Sequence, residues 1–344
     1  MTVIESPGEV TNAFDHLAAY GIAAMVDALQ PGSGRLAWSD ELEPRITLDG
    51  ATWAEIGVAV HDHAVDHQAP ESWVSADGCN NGSASSLFSP RVKAMADAEM
   101  RLWYADRERV LNTIAGRWAQ LDRAMIGALG EPSYWSFESD GPRPDYGASR
   151  WEMKTRNRGE EFVANRLRPL ARAVAARSTD DVARGLSGAL LVDEVGGDSA
   201  GSRTPTGLMS PRATDNARAW CALWGLSLLP VLHSLVGASR SAGHLGYHSQ
   251  GHLFLPLMIR SVPVAQLRAI LVSRQLAVAA TTELADSRRG VRPTLGSERG
   301  AAWSWLAGRG VPAVIRFSVH RSPNRSAPEK WAQRGVLVFP EESR

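Results

Sequence analysis

Arg150, Lys154, Arg156 and Arg158 place four cations within the nine residues from Arg150 to Arg158, in the stretch Ser149-Arg150-Trp151-Glu152-Met153-Lys154-Thr155-Arg156-Asn157-Arg158-Gly159. Arg156 and Arg158 alternate with Thr155 and Asn157, so an extended segment presents several donors on one face. A guanidinium offers a planar fork of N–H groups that matches two phosphate oxygens. Trp151, set among these cations, is the candidate to pack or stack beside a base, and Arg166 extends the basic stretch. This chemistry suits a nucleic-acid backbone better than a protein core.

Two further loops carry the same signature. Arg203 sits in Ser202-Arg203-Thr204-Pro205-Thr206-Gly207, where hydroxyls, glycine and backbone N–H groups can surround a phosphate. A flexible linker with an incidental arginine reads the same way. Arg321, Asn324 and Arg325, with Lys330 close behind, occupy a polar loop between two strand candidates. Asn beside Arg can read base edges, although exposed hairpin loops share that composition.

A second chemistry is offered by His61-Asp62-His63-Ala64-Val65-Asp66-His67. On a helix His63 and His67 lie one turn apart on one face, as zinc ligands often do. The string resembles the H-x-H-x-D-H run of metallo-β-lactamase-like hydrolases, with one extra residue before the Asp. A metal-dependent nuclease or phosphohydrolase using His61, His63, Asp66 and His67 is therefore the alternative to nucleic-acid binding, and a solvated polar helix end is the bland reading. His244, His248 and His252 recur every four residues, but Gly243, Gly246 and Gly251 argue against a continuous helix there. A phosphate-binding glycine loop, a dinucleotide fingerprint and a nucleophile elbow are all absent from the sequence. The expectation is a non-catalytic chain that needs no cofactor.

Charge is strongly partitioned along the chain. Residues 1–140 carry 9 Lys+Arg against 21 Asp+Glu, a net of −12, and residues 141–344 carry 28 against 16, a net of +12. Base composition explains why 34 of the 37 cations are arginine, but not why their excess sits in one half. A basic half can hold a polyanion, and an acidic half repels it or meets a basic partner. Cys79 and Cys221 stand far apart in unrelated contexts and suggest neither a disulfide framework nor a zinc site. The mostly apolar run Trp220 to Leu232 is only 13 residues long and is broken by Gly225, Ser227 and Pro230, too short to span a bilayer. The expected location is the cytoplasm, with no membrane contact.

The elements that must position these residues read as a helix-rich mixture. Asn12 to Leu29 has apolar residues at helical spacing behind a capping Asn and ends before Pro31-Gly32. Residues 36–38 and 45–48 are strand candidates, 52–67 a second helix, and 72–89 a loop rich in Ser, Gly and Asn. The longest helical pattern covers 92–129, and the prolines and glycines of 130–147 suggest a boundary. Beyond it the pattern gives helices at 159–177 (kinked or restarted at Pro169), 215–229, 263–281 and 301–309, and strands at 311–319 and 335–339. The expected fold is α+β with small antiparallel sheet elements, divided into an acidic, largely helical part (1–140) and a basic, nucleic-acid-facing α+β part (141–344). Trp220 and Trp224, four apart on one helix, are expected in the core.

Several of these segments together resemble one group of CRISPR effector proteins. Asn12 to Leu29 is similar to the opening helix of large-subunit-like proteins of type I-G (formerly I-U) systems. Ser149 to Leu167 resembles the same group, as do Trp220 to Leu232, Leu253-Phe254-Leu255-Pro256-Leu257 and Val262-Pro263-Val264. The resemblance spreads over most of the chain and carries no catalytic signature; at 344 residues the chain is shorter than such large subunits. It implies a non-catalytic subunit of an RNA-guided Cascade complex. Such a subunit contacts CRISPR RNA, target DNA or both, together with sister subunits, while base pairing reads the target.

Overall fold

Asn12 does what its position suggests. Its side-chain oxygen accepts the Phe14 N–H at 3.0 Å and opens α1 (Ala13–Leu29), which is buried from Ala13 through Met25. The computed structural model describes residues 2–39, 41, 44–80, 82–92, 95–132, 137–138, 141–142, 144–153, 162–232, 240–246, 251–281, 296–323 and 328–340. Thr52 and Glu55 form a reciprocal capping box at the start of α2 (Trp53–Gln68). The further described helices are α3 (Asp97–Thr113), α4 (Ala119–Leu129), α5 (Arg168–Ala175), α6 (Thr179–Leu186), α7 (Asn216–Trp224), α8 (Val264–Leu271), α9 (Arg274–Ala280) and α10 (Gly296–Ala307).

Helix α1 is the centre of the molecule, and two glycines explain how it fits there. A Cβ on Gly21 would lie 1.9 Å from the Cys221 carbonyl oxygen, and one on Gly225 would lie 2.1 Å from that of Leu17. These reciprocal gaps let α1 meet α7 and the turn after it backbone to backbone. Trp220 and Trp224 are fully buried beside that crossing, as expected for core residues.

The strands are β1 (Val3–Ser6), β2 (Arg35–Trp38), β3 (Ile46–Asp49), β4 (Asp77–Asn80), β5 (Ser83–Ser86), β6 (Phe137–Glu138), β7 (Gly141–Pro142), β8 (Val231–Leu232), β9 (Arg240–Ser241), β10 (His244–Leu245), β11 (His252–Leu257), β12 (Val262–Pro263), β13 (Ala313–Arg321), β14 (Lys330–Ala332) and β15 (Val336–Val338). One sheet runs β1-β3-β2-β12, and a second runs β10-β11-β13-β14 with β15 also on β13. Every described pairing is antiparallel. The fold is thus helix-rich α+β with small antiparallel sheets, and strands from residues 3–49 and 262–263 share the first of them. No described helix is long and apolar enough to cross a membrane.

Several elements differ from the sequence pattern. The expected loop 72–89 holds the hairpin β4–β5, whose Ser, Gly and Asn residues lack apolar alternation; Gly78 lies against Leu87 and Trp103 there. The long pattern 92–129 is two helices, because the chain turns at Gly116 with φ +86°. The pattern 263–281 also splits, and Ser273 caps α9 by accepting the Leu276 N–H at 3.1 Å. Within 159–177, Val163–Leu167 winds as a wider π-type turn into α5, with Pro169 in the first turn, where its missing N–H is harmless.

Candidate functional site

The candidate geometry centres on the paired strands β13 and β14. Their register sets Val319 opposite Ala332, His320 opposite Trp331, and Arg321 opposite Lys330. Alternation along a strand puts Arg321 and Lys330 on one face of this ribbon and His320 and Trp331 on the other. The two aromatic rings are stacked, with centroids 4.0 Å apart and planes 26° from parallel. The pair closes beyond the cations, where Ser322 N–H donates to the Glu329 carbonyl (2.9 Å) and Glu329 N–H to the Ser322 hydroxyl (2.8 Å). The exposed Arg203 forms an ion pair with Glu329 at the same end.

Two other basic segments arrive at this ribbon. Ala332 N–H donates to the Gly207 carbonyl (2.8 Å), which ties the loop carrying Arg203 to β14. A Cβ on Gly207, whose φ is +86°, would meet the Met153 side chain at 2.5 Å and the Lys330 carbonyl oxygen at 2.9 Å. The turn 149–153 therefore lies against the same strand. Arg150 donates its backbone N–H to the Ser241 hydroxyl at 2.8 Å. Its neighbour Glu152 is buried and pairs with Arg91.

Electrostatics make the convergence concrete. Burial, then the like charges of Arg91 and Arg321, push the Lys330 ammonium down to about 8. Arg150 adds to that push and Glu152 opposes it. Cations from three places in the sequence thus act on one half-buried amine.

Not every expected contact residue faces outward. Trp151 has no exposed surface, and its indole N–H donates to the Ala242 carbonyl at 2.7 Å. It anchors the turn from inside, so its expected stacking role is replaced by packing. Arg166 is also buried, donating to the Thr206 carbonyl at 3.0 Å and lying over the Phe162 ring. Its role is to support the 202–207 loop from below. Lys154, Arg156, Arg158, Asn324 and Arg325 lie outside the described residues. Sequence reading did not bring Arg91, Glu152, His320 or Trp331 into the candidate site. The adjacent Lys330-Trp331, a cation beside a large ring, was the available signal for the last of these.

The histidine string divides between two helix faces. His63 and His67 point inward and meet Asp122 of α4, and all three are buried, with possible ligand atoms within 4.8 Å of one another. Asp66 instead accepts from Arg117 (2.9 Å) and from the Trp118 indole (2.8 Å), while Asp62 accepts from Arg117 at 3.1 Å. His61 lies near Asp62. The expected set of His61, His63, Asp66 and His67 is therefore not brought together; Asp122 takes the place of two of its members.

Hydrogen-bond polarity decides what the inner cluster is suited to hold. The Trp220 indole, a donor only, gives its N–H to His63 Nδ1 at 3.1 Å. Neutral His63 must then carry its proton on Nε2, the position a metal would need. Burial, with help from His67 and Arg117, holds His63 well below its ordinary pKa. His67 Nδ1 donates to the His63 carbonyl at 2.6 Å, so the proton between His67 Nε2 and Asp122 (2.7 Å) is shared by that pair. Trp73 donates to the same Asp122 oxygen at 3.0 Å. Trp118, Trp220 and Trp224 ring His63. The cluster is buried under tryptophan rings, with His67 and Asp122 bonded to each other and His63 Nε2 without a hydrogen-bond partner among the described residues, whereas a catalytic metal needs an open coordination position.

No family model matches this chain, and no curated protein matches it.

Proposed function

We propose that this chain is a non-catalytic, nucleic-acid-binding subunit of a type I CRISPR RNA-guided interference complex, working in the cytoplasm. The observation that carries the reading is Arg321 directly opposite Lys330 on the β13–β14 ribbon, within the influence of Arg91 and Arg150. Like charges opposed across a strand pair are unfavourable by themselves. A phosphate lying between them turns that opposition into attraction. The segment resemblance to type I-G large-subunit-like proteins supplies the assembly, in which protein subunits grip backbones and guide pairing reads sequence.

The acidic first part has a place in this reading. The net charge of −12 over residues 1–140 suits a basic sister subunit; helix α3 itself, with Asp97, Glu99, Asp106 and Glu108 against Arg101, Arg107 and Arg109, is close to neutral. The burial of the His63–His67–Asp122 cluster under Trp118, Trp220 and Trp224 favours a structural role over hydrolysis.

The test is equilibrium binding of the full chain to single-stranded RNA, single-stranded DNA and duplex DNA over a salt series. Binding that weakens steeply with salt is expected, because each neutralised phosphate releases counterions. Absence of binding to all three at low salt would overturn the proposal.

A further inference from the structure

We infer that the stacked His320–Trp331 pair is a platform for an unpaired base of a single-stranded nucleic acid; this rests on the nucleic-acid reading above and assigns it a stacking residue. Among the described tryptophans, Trp38, Trp73, Trp103, Trp118, Trp151, Trp220, Trp224 and Trp303 belong to the core. Trp53 and Trp305 are partly buried and pack against it. Trp331 alone of the described set does neither, and its ring is stacked on a half-buried histidine instead. Large rings kept out of a core and stacked on one another form a flat apolar surface with affinity for a further ring.

The neighbours on the ribbon say which ring. The Arg321–Lys330 pair is the next rung, about 3.3 Å further along the strands, and projects from the opposite face. A strand passing round this end of the ribbon brings phosphates to the cations and a base to the aromatic pair. An unpaired base has a free π face to offer, whereas a base inside a duplex is stacked on both sides.

The experiment uses the full chain and labelled oligoadenylate, as RNA and as DNA, beside a duplex of the same length. Trp331→Leu is expected to lose about tenfold in single-strand affinity while duplex binding and the salt slope stay unchanged. Trp331→Phe, which keeps an aromatic face, should retain most of the affinity. A readout independent of any variant's folding is ultraviolet cross-linking of the wild-type chain to a bromouridine-substituted strand, with the joined peptide expected to contain Trp331 or His320. If Trp331→Leu binds single strands as the wild type does, or the cross-link falls elsewhere, the platform is overturned while nucleic-acid binding survives. A wild-type chain that binds none of the probes removes both.

Discussion

His16 and His63 show how single buried groups set the pH response. Burial holds His16 down to about 4 and His63 well below its ordinary value, and only His16's bond to the Val10 carbonyl pulls the other way. Both titrate near 6.5 when unfolded, so the unfolded chain binds more protons as pH falls below that point. The stability they support is complete above pH 6.5 and drains away toward pH 4, with His16 contributing about 3 kcal/mol. Urea unfolding at pH 7 and pH 4.5 should show this loss, and His16→Gln should flatten it. At the neighbouring cluster, Asp122→Ala strands a buried histidine and is expected to cost about 3 kcal/mol. Asp122→Asn keeps the shape and can satisfy either Trp73 or His67 at the one oxygen they share, so it should cost less than Asp122→Ala. Adding EDTA should leave the melting temperature unchanged, since His63 Nε2 carries a proton. The sequence displayed His63 and His67 on one helix face, but Asp122, an isolated acid in an apolar helix, gave no sign of joining them.

At the scale of elements, the crossing of α1 with α7 is the most demanding contact. Gly21→Ala places a methyl group 1.9 Å from a backbone oxygen, and thermal melting should show a loss of about 3 kcal/mol. Gly127→Ala, in α4 with open space around it, should instead stabilise by about 0.5–1 kcal/mol. The ribbon carries the opposite tension. Lys330→Met removes a like charge from a cross-strand pair and should raise stability by a few tenths of a kcal/mol while weakening nucleic-acid binding. Because a polyanion favours the Lys330 ammonium, wild-type affinity should fall as pH rises from 7 to 9, and this variant should lose that fall. Local signals made α1 and α2 legible, through Asn12 and the Thr52–Glu55 box. The breaks at Gly116 and Ser273 lay inside continuous apolar patterns, and β4–β5 and β14 lacked the alternation that marks a strand. Arg321 was visible as a basic loop residue, but its partner across the ribbon depends on register, which spacing along one strand does not encode.

For the whole molecule, the charge partition of −12 and +12 has two destinations. Part is neutralised within the fold, where Arg218 meets Asp15 at 2.7 Å, Arg168 meets Asp77 at 2.5 Å, and Arg334 meets Glu9 at 3.8 Å. These ion pairs pin the acidic stretch to the basic one. Sequence counting showed the asymmetry without showing how much of it closes on itself. At the ribbon Arg321 stands opposite Lys330, a juxtaposition of cations that can steer and hold a polyanion. The most direct test compares the salt dependence of single-strand binding by the wild-type chain with that of Arg321→Gln/Lys330→Gln. Two lost phosphate contacts should lower the slope of log affinity against log salt by about 1.4, at roughly 0.7 per contact for a single strand. An unchanged slope would mean that the ribbon holds no phosphate, and would contradict the account.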